Sequence, residues 1–270
     1  MQRNLKVVVG QCPADIEGPN ARLEWLKEKL GHIRDLKADL LILPELFFTG
    51  YNVGGKISER AEEKNSPSLQ HVATLAQKYQ IAIHFGYAEK RNGALFNSAI
   101  CYDANGEVVG HHRKLLLPPG FEGEYFDAGV DFTLFEMGGL KIATLICYDA
   151  EFPENFRQVV SAGADLVVVP TALGEQWGIV SEKLIPTRAF ENGVFVCYAN
   201  YSGQENGLSY FGGSCIVGPD GKDLARAGRI SETIFANLDI AAVKTAQSRL
   251  PYHADRAKLP WAKIPNIGVV

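Results

Sequence analysis

Apolar residues along this chain follow two alternating spacings, one typical of buried strands and one typical of helices. Short apolar runs that are bounded by turn-forming residues predict strands. The predicted strands span residues 7–11, 40–43, 81–86, 96–103, 107–114, 141–146, 166–169, 194–199 and 214–218. A tight hairpin is expected between the fourth and fifth strands, since Asn105-Gly106 is a strong turn signal.

Helical spacing occupies the segments between several of these strands. Residues 20–36 carry leucines three and four positions apart, which predicts a helix with one buried face. A second helix is expected from Pro67 to Tyr79, because Ser66 can cap it and a proline suits its first turn. Strands that alternate with helices favour the α/β class.

One arrangement occurs twice along the chain. Ala-Asp-Leu, three apolar residues and a proline stand at 38–44 and again at 164–170, while a lysine precedes a cysteine by six residues at 6–12 and at 141–147. The two repeated patterns are separated by different numbers of residues along the chain. They therefore indicate a repeated helix–strand plan and not a strict tandem repeat. We expect two similar α/β layers that pack sheet against sheet with helices outside. No Ser/Gly-rich linker is visible, so residues 1–270 are predicted to form a single domain.

The composition narrows the classes of partner. The 270 residues include 27 Lys and Arg against 31 Asp and Glu, a net charge of -4, which disfavours a nucleic-acid binder. No apolar run reaches the roughly 20 residues of a membrane helix, and no targeting segment is visible. The five cysteines form no Cys-x-x-Cys pair, which favours a reducing compartment. We therefore expect a soluble, cytoplasmic protein without nucleic-acid or membrane partners.

Two patterns are similar to functional motifs but lack the chemistry that those motifs require. Residues 50–56 have the spacing of a phosphate-binding loop, but Ile57 stands where a Ser or Thr must hold magnesium. His111 and His112 are neighbours on a predicted strand, so their side chains point to opposite faces and cannot hold one ion together. These patterns therefore predict neither a nucleotide site nor a metal site.

Three residues with catalytic chemistry stand at the ends of predicted strands. Glu45 has apolar neighbours, which raise a carboxyl pKa toward the range of a general acid and base. Lys114 precedes an apolar run, where a partly desolvated ammonium is a strong donor to an oxyanion. Cys147 occupies a strand-to-helix corner, where the helix dipole favours a thiolate. Each has an ordinary structural explanation alone, but together they suggest a cysteine nucleophile whose base is a glutamate.

These residues lie in longer motifs that resemble those of the nitrilase superfamily of carbon-nitrogen hydrolases. The motifs are Leu43-Pro44-Glu45 with Thr49-Gly50-Tyr51, then Arg113-Lys114, then Ile146-Cys147-Tyr148-Asp149 with Phe152-Pro153-Glu154. Later matches at 188–192, 199–200 and 218–221 extend the resemblance over nearly the whole chain. The resemblance implies a four-layer α-β-β-α sandwich, a homodimer or higher homo-oligomer, and catalysis without metal or cofactor.

The resemblance also implies a role for each residue. Cys147 is expected to be the nucleophile and Glu45 the general base and acid, while Lys114 and the backbone N–H of Tyr148 stabilise the oxyanion. A thioester intermediate is expected to form as ammonia leaves.

The family has a second glutamate after the lysine. The aromatic residues of 121–129 match its pattern when Glu122, and not Glu124, is that supporting glutamate. Leu116 departs from the family, which frequently has a histidine there.

Substrate choice has to come from the pocket, because the triad attacks any electrophilic carbon that is bonded to nitrogen. Many relatives that act on acids carry an arginine at the position of Glu151, and a carboxylate there would repel an acidic substrate. Residues 147–154 are most similar to those of aliphatic amidases, including enzymes for ω-amino amides such as 5-aminopentanamide. Tyr51, Trp177 and Glu175 are further candidates for lining the pocket. We expect hydrolysis of a small neutral or amine-bearing amide.

Other functions remain open at this point. An N-carbamoyl amine hydrolase would release carbon dioxide as well as ammonia, and a nitrilase would use the same triad. A catalytically silent oligomerisation protein would be marked by the loss of a triad residue, and all three are present. Glu151 has the alternative explanation of a surface or interface ion pair without substrate contact. For Tyr51 and Trp177 the alternative is core packing.

Overall fold

The computed structural model describes residues 4–259, in which strands and helices alternate. The strands are β1 (Asn4–Pro13), β2 (Leu40–Ile42), β3 (Ala82–Arg91), β4 (Ala94–Tyr102), β5 (Val108–Arg113), β6 (Leu134–Met137), β7 (Leu140–Thr144), β8 (Leu166–Pro170), β9 (Phe195–Ala199), β10 (Tyr201–Ser202), β11 (Gln204–Glu205), β12 (Leu208–Ser209), β13 (Cys215–Val217), β14 (Asp223–Arg226) and β15 (Glu232–Asp239). The α-helices are α1 (Gly18–Ile33), α2 (Lys56–Arg60), α3 (Pro67–Tyr79), α4 (Phe121–Tyr125), α5 (Pro153–Ser161), α6 (Ile185–Asn192), α7 (Ile240–Arg249) and α8 (Tyr252–Arg256). Single 3-10 turns occupy Arg34–Leu36, Cys147–Glu151 and Glu175–Trp177, and Val180–Leu184 forms a π-helical turn.

Two sheets contain most of the strands. The first has the order β10-β1-β2-β3-β4-β5, with β15 antiparallel to β1 on the side of β10. The second has the order β14-β13-β9-β8-β7-β6. Each sheet has a parallel centre, made of β1, β2 and β3 in one and of β7, β8 and β9 in the other. Parallel neighbours need crossover connections, which the helices provide.

The repeated sequence pattern forms the same contact in both sheets. Lys6 N donates to Asp39 Oδ2 at 2.7 Å, and Asp39 N donates back to Lys6 O at 2.8 Å. Lys141 N donates to Asp165 Oδ2 at 2.9 Å, and Asp165 N donates back to Lys141 O at 2.8 Å. The aspartate that opens each second strand therefore sets the register of that strand on its neighbour.

The alternation of side chains along the central strands produces the layers. Val8 packs with α1 and α3, whereas Val7 and Val9 face the second sheet. On β8, Val168 belongs to the core between the sheets and Val167 to the core under α5 and α6. Each central strand is thus apolar on both faces, as a sheet covered on both sides requires. The predicted four-layer α-β-β-α sandwich is confirmed.

The predicted helices agree closely with the structure. The helix expected at 20–36 is α1 followed by a 3-10 turn, and α3 has the predicted bounds with Ser66 Oγ accepting from Leu69 N at 3.3 Å.

None of the helices described between residues 4 and 259 is long and apolar enough to cross a bilayer.

Candidate active site

Glu45 lies just beyond β2, and both sheets hold its backbone. Its N–H points to Thr171 O at 3.4 Å, and Tyr201 Oη donates to Glu45 O at 2.9 Å. Gly86 on β3 has to be a glycine, because a Cβ there would lie 2.3 Å from Leu46 N. The glutamate side chain is fully buried at this strand end. Its orientation is therefore set by the packing of the whole strand end and not by its immediate neighbours in sequence.

Lys114 follows β5, and its ammonium lies between two carboxylates. Lys114 N donates to Asn97 O at 2.8 Å, which continues the ladder between β4 and β5. Its Nζ donates to Glu45 Oε1 and to Glu122 Oε1, both at 2.6 Å. The Asn97 amide bridges the same acids, since its Nδ2 donates to Glu45 Oε1 at 2.7 Å and to Glu122 Oε2 at 3.0 Å. All four side chains are buried.

The electrostatics of this cluster separate the roles of the acid and the lysine. Burial raises the pKa of Glu45 to about 7; Lys114 opposes this shift and the charge of Glu122 adds to it. Burial works to lower the pKa of the Lys114 ammonium, but Glu45 and Glu122 outweigh it and hold that pKa well above its usual value. Lys114 therefore stays charged near neutral pH, while Glu45 exchanges its proton there.

Cys147 stands at the corner between β7 and the 3-10 helix Cys147–Glu151, in the left-handed region with φ 46°. Burial raises the pKa of its thiol, and the charge of Glu45 adds to this effect, although Lys114 acts in the opposite direction. Burial thus outweighs the helix dipole, which by itself favours a thiolate, and the resting thiol keeps its proton. The thiol needs a base. Glu45 Oε2 is buried without a hydrogen-bond partner among the described residues, so it can accept a proton.

Tyr148 follows Cys147, and its backbone N–H lies in the first turn of the 3-10 helix. N–H groups at the start of a helix have no partner within the helix, which leaves this one available to an oxyanion. The ring packs edge-on against Phe152, with 5.0 Å between the ring centroids.

Asp149 connects the two loops that carry the lysine and the cysteine. Its Oδ1 accepts from Leu115 N at 3.1 Å and from Leu116 N at 2.8 Å, while Oδ2 accepts from Ile146 N at 3.2 Å. The sequence motif contains Asp149 but predicts no role for it; its position two residues after Cys147 was the available signal. The backbone of Leu116, where the family often has histidine, contributes here even though its side chain departs from the pattern.

The sequence did not identify Asn97 as a site residue, because its position depends on the pairing register between β4 and β5. Ser98 pairs with Arg113, which puts Asn97 opposite Lys114. Counting back from the predicted strand ends at residues 103 and 107 puts Phe96 opposite Lys114, one residue off, because a bulge between Cys101 and Tyr102 shifts the ladder.

A cavity of about 510 Å³ gives access to Cys147. Its lining includes three of the four predicted pocket residues, Tyr51, Glu151 and Trp177, and also Glu122, the expected supporting glutamate. Glu45 and Lys114 lie behind this lining. Glu175 is exposed and does not line the cavity, so that candidate was wrong; the 3-10 turn that contains it directs Gln176 and Trp177 there. Trp177 is 57% exposed and stands at the rim, which excludes the core-packing explanation for it.

Glu151 is half-buried in the cavity wall, and its carboxylate forms no ion pair with the described residues. Arg188 is its neighbour, but Nη2 of Arg188 donates to the Glu151 backbone oxygen at 2.6 Å and Nη1 donates to Glu191 Oε1 at 3.0 Å. Within residues 4–259, no Lys, Arg or His nitrogen lies within 4.0 Å of the Glu151 carboxylate. Burial raises its pKa, while Lys114 and Arg188 oppose the shift. Within residues 4–259 the Glu151 carboxylate therefore has no ion-pair partner.

Fold and site together place the chain among hydrolytic enzymes. It belongs to the carbon-nitrogen hydrolase family, whose model matches residues 6–247. It is thus a hydrolase that acts on carbon-nitrogen bonds, as the sequence motifs predicted.

Named relatives are similar over most of their length. A "hydrolase in pqqF 5'region" of Pseudomonas protegens is 38% identical over 260 residues, which cover 94% of this chain and 90% of that protein. An "(R)-stereoselective amidase" of Pseudomonas sp. is 32% identical, covering 81% of this chain and 79% of that protein. The crystal structure of an amidase from Nesterenkonia sp. superposes with a TM-score of 0.83 at 29% identity, covering 96% of this chain and 98% of that one. A variant of that amidase carries the acetamide moiety of fluoroacetamide on its active-site cysteine.

Proposed function

We propose that this chain is an amidase that hydrolyses a small aliphatic primary amide, neutral or amine-bearing, to a carboxylic acid and ammonia. The observation that carries the proposal is the buried ammonium of Lys114 held by Glu45 and Glu122, directly behind the cavity that exposes Cys147. The similar amidases, one of which forms a covalent adduct at its active-site cysteine, support this choice within the family.

Acylation begins with proton transfer from the thiol. Glu45 Oε2 takes the Cys147 proton, and the sulfur bonds to the amide carbon. Negative charge then develops on the amide oxygen, where Lys114 and the Tyr148 N–H are the proposed donors. The carbon-nitrogen bond breaks as Glu45 returns the proton to the leaving nitrogen, which departs as ammonia. The acyl group remains on Cys147 as a thioester.

Deacylation uses the same groups in reverse. Glu45 removes a proton from water, the hydroxide oxygen bonds to the thioester carbon, and the carbon-sulfur bond breaks. The sulfur recovers its proton from Glu45. A base that works in both directions needs a pKa near the operating pH, and the pKa of about 7 meets this requirement.

Selection by charge is proposed to come from Glu151. An unpaired carboxylate in the cavity wall attracts an ammonium and repels a carboxylate, because partial burial strengthens both interactions relative to water. This supports a neutral or amine-bearing amide over an anionic one.

The activity is tested by an ammonia-release screen over neutral, cationic and anionic primary amides, N-carbamoyl amines and nitriles. Cys147→Ala should abolish turnover while the protein stays folded, and Cys197→Ala, a buried cysteine of β9, is the matched control that should stay active. Full activity of the Cys147 variant would refute the proposal. Release of carbon dioxide from N-carbamoyl amines alone would select the alternative hydrolase.

The charge preference is tested separately. Glu151→Gln should reduce kcat/KM for an amine-bearing amide by about tenfold and leave a neutral amide of equal length within about twofold. An equal effect on both substrates would reject the role of Glu151 but not the amidase activity.

The remaining expectations about the whole protein stay proposals. The five free cysteines support a cytoplasmic location. A core that joins both sheets supports a single domain, which a single cooperative unfolding transition would test. The homo-oligomer implied by the resemblance is tested by light scattering on the eluted protein, where a monomeric mass would contradict it.

A further inference from the structure

A second buried ion pair lies outside the catalytic cluster. Arg22 on α1 is fully buried, and its Nη2 donates to Glu205 Oε1 at 3.1 Å and to Ala14 O at 3.1 Å. Its Nη1 lies 3.5 Å from Tyr201 Oη, the hydroxyl that holds the backbone of the catalytic glutamate. Burying two charges costs several kcal/mol per ion before their attraction is counted, so stability alone is a weak reason for such a pair.

The other carboxylate oxygen of Glu205 holds the loop after the first catalytic motif. Glu205 Oε2 accepts from Tyr51 N at 3.1 Å, from Asn52 N at 2.6 Å and from Tyr210 Oη at 3.0 Å. Gly50 adopts φ +90°, and a Cβ there would lie 2.9 Å from Glu205 Oε1. The loop can therefore approach the carboxylate only because this position is a glycine.

The loop places a hydroxyl on the catalytic cluster. Tyr51 Oη donates to Glu122 Oε1 at 2.9 Å, the same oxygen that accepts from Lys114 Nζ at 2.6 Å. Tyr51 thus links Glu205, which accepts from its backbone N–H, to the Glu122 oxygen that holds the lysine, which accepts from its hydroxyl. A displaced loop would move this hydroxyl and change the orientation of Glu122.

We propose that Glu205 is a positioning residue for catalysis, which acts by fixing Tyr51 so that its hydroxyl orients Glu122 against Lys114. This inference rests on the proposed function, because it requires that Glu122 and Lys114 serve the amide reaction. A purely structural role for Glu205 predicts a loss of stability that is independent of the Tyr51 hydroxyl.

A double-mutant cycle separates the two roles. Glu205→Gln keeps the shape and removes the charge, and Tyr51→Phe removes only the hydroxyl. With rates normalised to the titratable Cys147 thiol, each single variant should lower kcat/KM by about tenfold, and the double variant should also lose about tenfold. Effects that multiply to about a hundredfold would overturn the proposal.

The pH profile is a second readout. Glu205→Gln and Tyr51→Phe should displace the acid limb of kcat/KM by the same amount, and the double variant should displace it no further. A midpoint that Glu205→Gln leaves in place would contradict the proposal. The matched control is Glu17→Gln, whose carboxylate forms an exposed ion pair with Lys56 at 2.9 Å and which should change neither quantity.

Removing one partner of a buried pair can prevent folding. If Glu205→Gln does not fold, the cycle is run on Arg22→Met/Glu205→Gln, which leaves no unpaired buried charge. Measurable hydrolysis with multiplying effects would refute only the role of Glu205. If no amide releases ammonia with the unaltered protein, the proposed function itself fails and this inference falls with it.

Discussion

Replacing Glu45 by glutamine should make the protein more stable relative to the unaltered chain as the pH rises. The pKa of this carboxyl is raised from 4.5 to about 7 because of its burial, even though Lys114 opposes the shift. An acid whose pKa is higher in the folded state binds its proton more tightly there. The contribution of Glu45 to the free energy of unfolding is therefore fully present below pH 4.5 and is lost as the pH rises to about 7.

The magnitude follows from the size of the shift. One pKa unit corresponds to about 1.4 kcal/mol, so ionisation of Glu45 in the folded protein costs about 3 kcal/mol above neutral pH. Glu45→Gln removes this cost and leaves the ammonium of Lys114 facing one carboxylate, Glu122.

The measurement is the free energy of unfolding in urea at about pH 5 and about pH 8 for both proteins. The advantage of Glu45→Gln should grow by about 2 kcal/mol between these values, because part of the ionisation cost is already present at the lower one. Glu124→Gln, a change at an exposed acid of α4, is the matched control and should show no such growth. A difference between Glu45→Gln and the unaltered protein that stays constant with pH would refute the raised pKa.

Three further results are expected from the site. Ionised Glu45 is the proposed base, so kcat/KM should fall on the acid side with a midpoint near pH 7, and a midpoint near 4.5 would contradict this. Lys114→Ala should lower kcat at least about 100-fold by removing an oxyanion donor, and it should also lower the Tm because two buried acids lose their partner; an unchanged kcat would exclude the role. Gly86→Ala would put a Cβ 2.3 Å from the backbone nitrogen of Leu46, next to Glu45. Stability should therefore fall by about 1–3 kcal/mol, measured by urea unfolding, and kcat should fall as well.

Much of the fold could be predicted because its signals are local. The central strands are apolar on both faces, and the aspartates that open β2 and β8 stand at the same place in the repeated pattern. Strand β15 was not predicted from the sequence. Only Ile234 and Leu238 of its eight residues are buried, so this edge strand lacks the apolar run that indicates a strand. Its place beside β1 depends on long-range pairing that no local pattern specifies.

The sequence predicted some residues of the site but not others. Glu45, Lys114 and Cys147 were expected at strand ends, and the structure brings all three to one cavity and its rear wall. Asn97 required the position of a bulge, and Glu205 required contacts across 154 residues of sequence to the loop of Tyr51. Such contacts are created by packing between elements that are far apart along the chain.

Cys12 and Cys147 show which features are visible in the sequence and which depend on the tertiary structure. Cys12 and Cys147 occupy the same place in the repeated plan, six residues after a lysine, so the repeat by itself does not rank them. Cys12 stays within β1, pairs with Tyr201 and is fully buried, whereas Cys147 leaves its strand with a positive φ and reaches a cavity. The sequence by itself determined the alternating elements, the chemical groups and their strand-end positions. Only the tertiary structure decided that Cys147, which its strand-to-helix corner and its motif had already singled out, meets both a base and a substrate space, because burial, close approach and shared hydrogen bonds depend on elements from the whole chain.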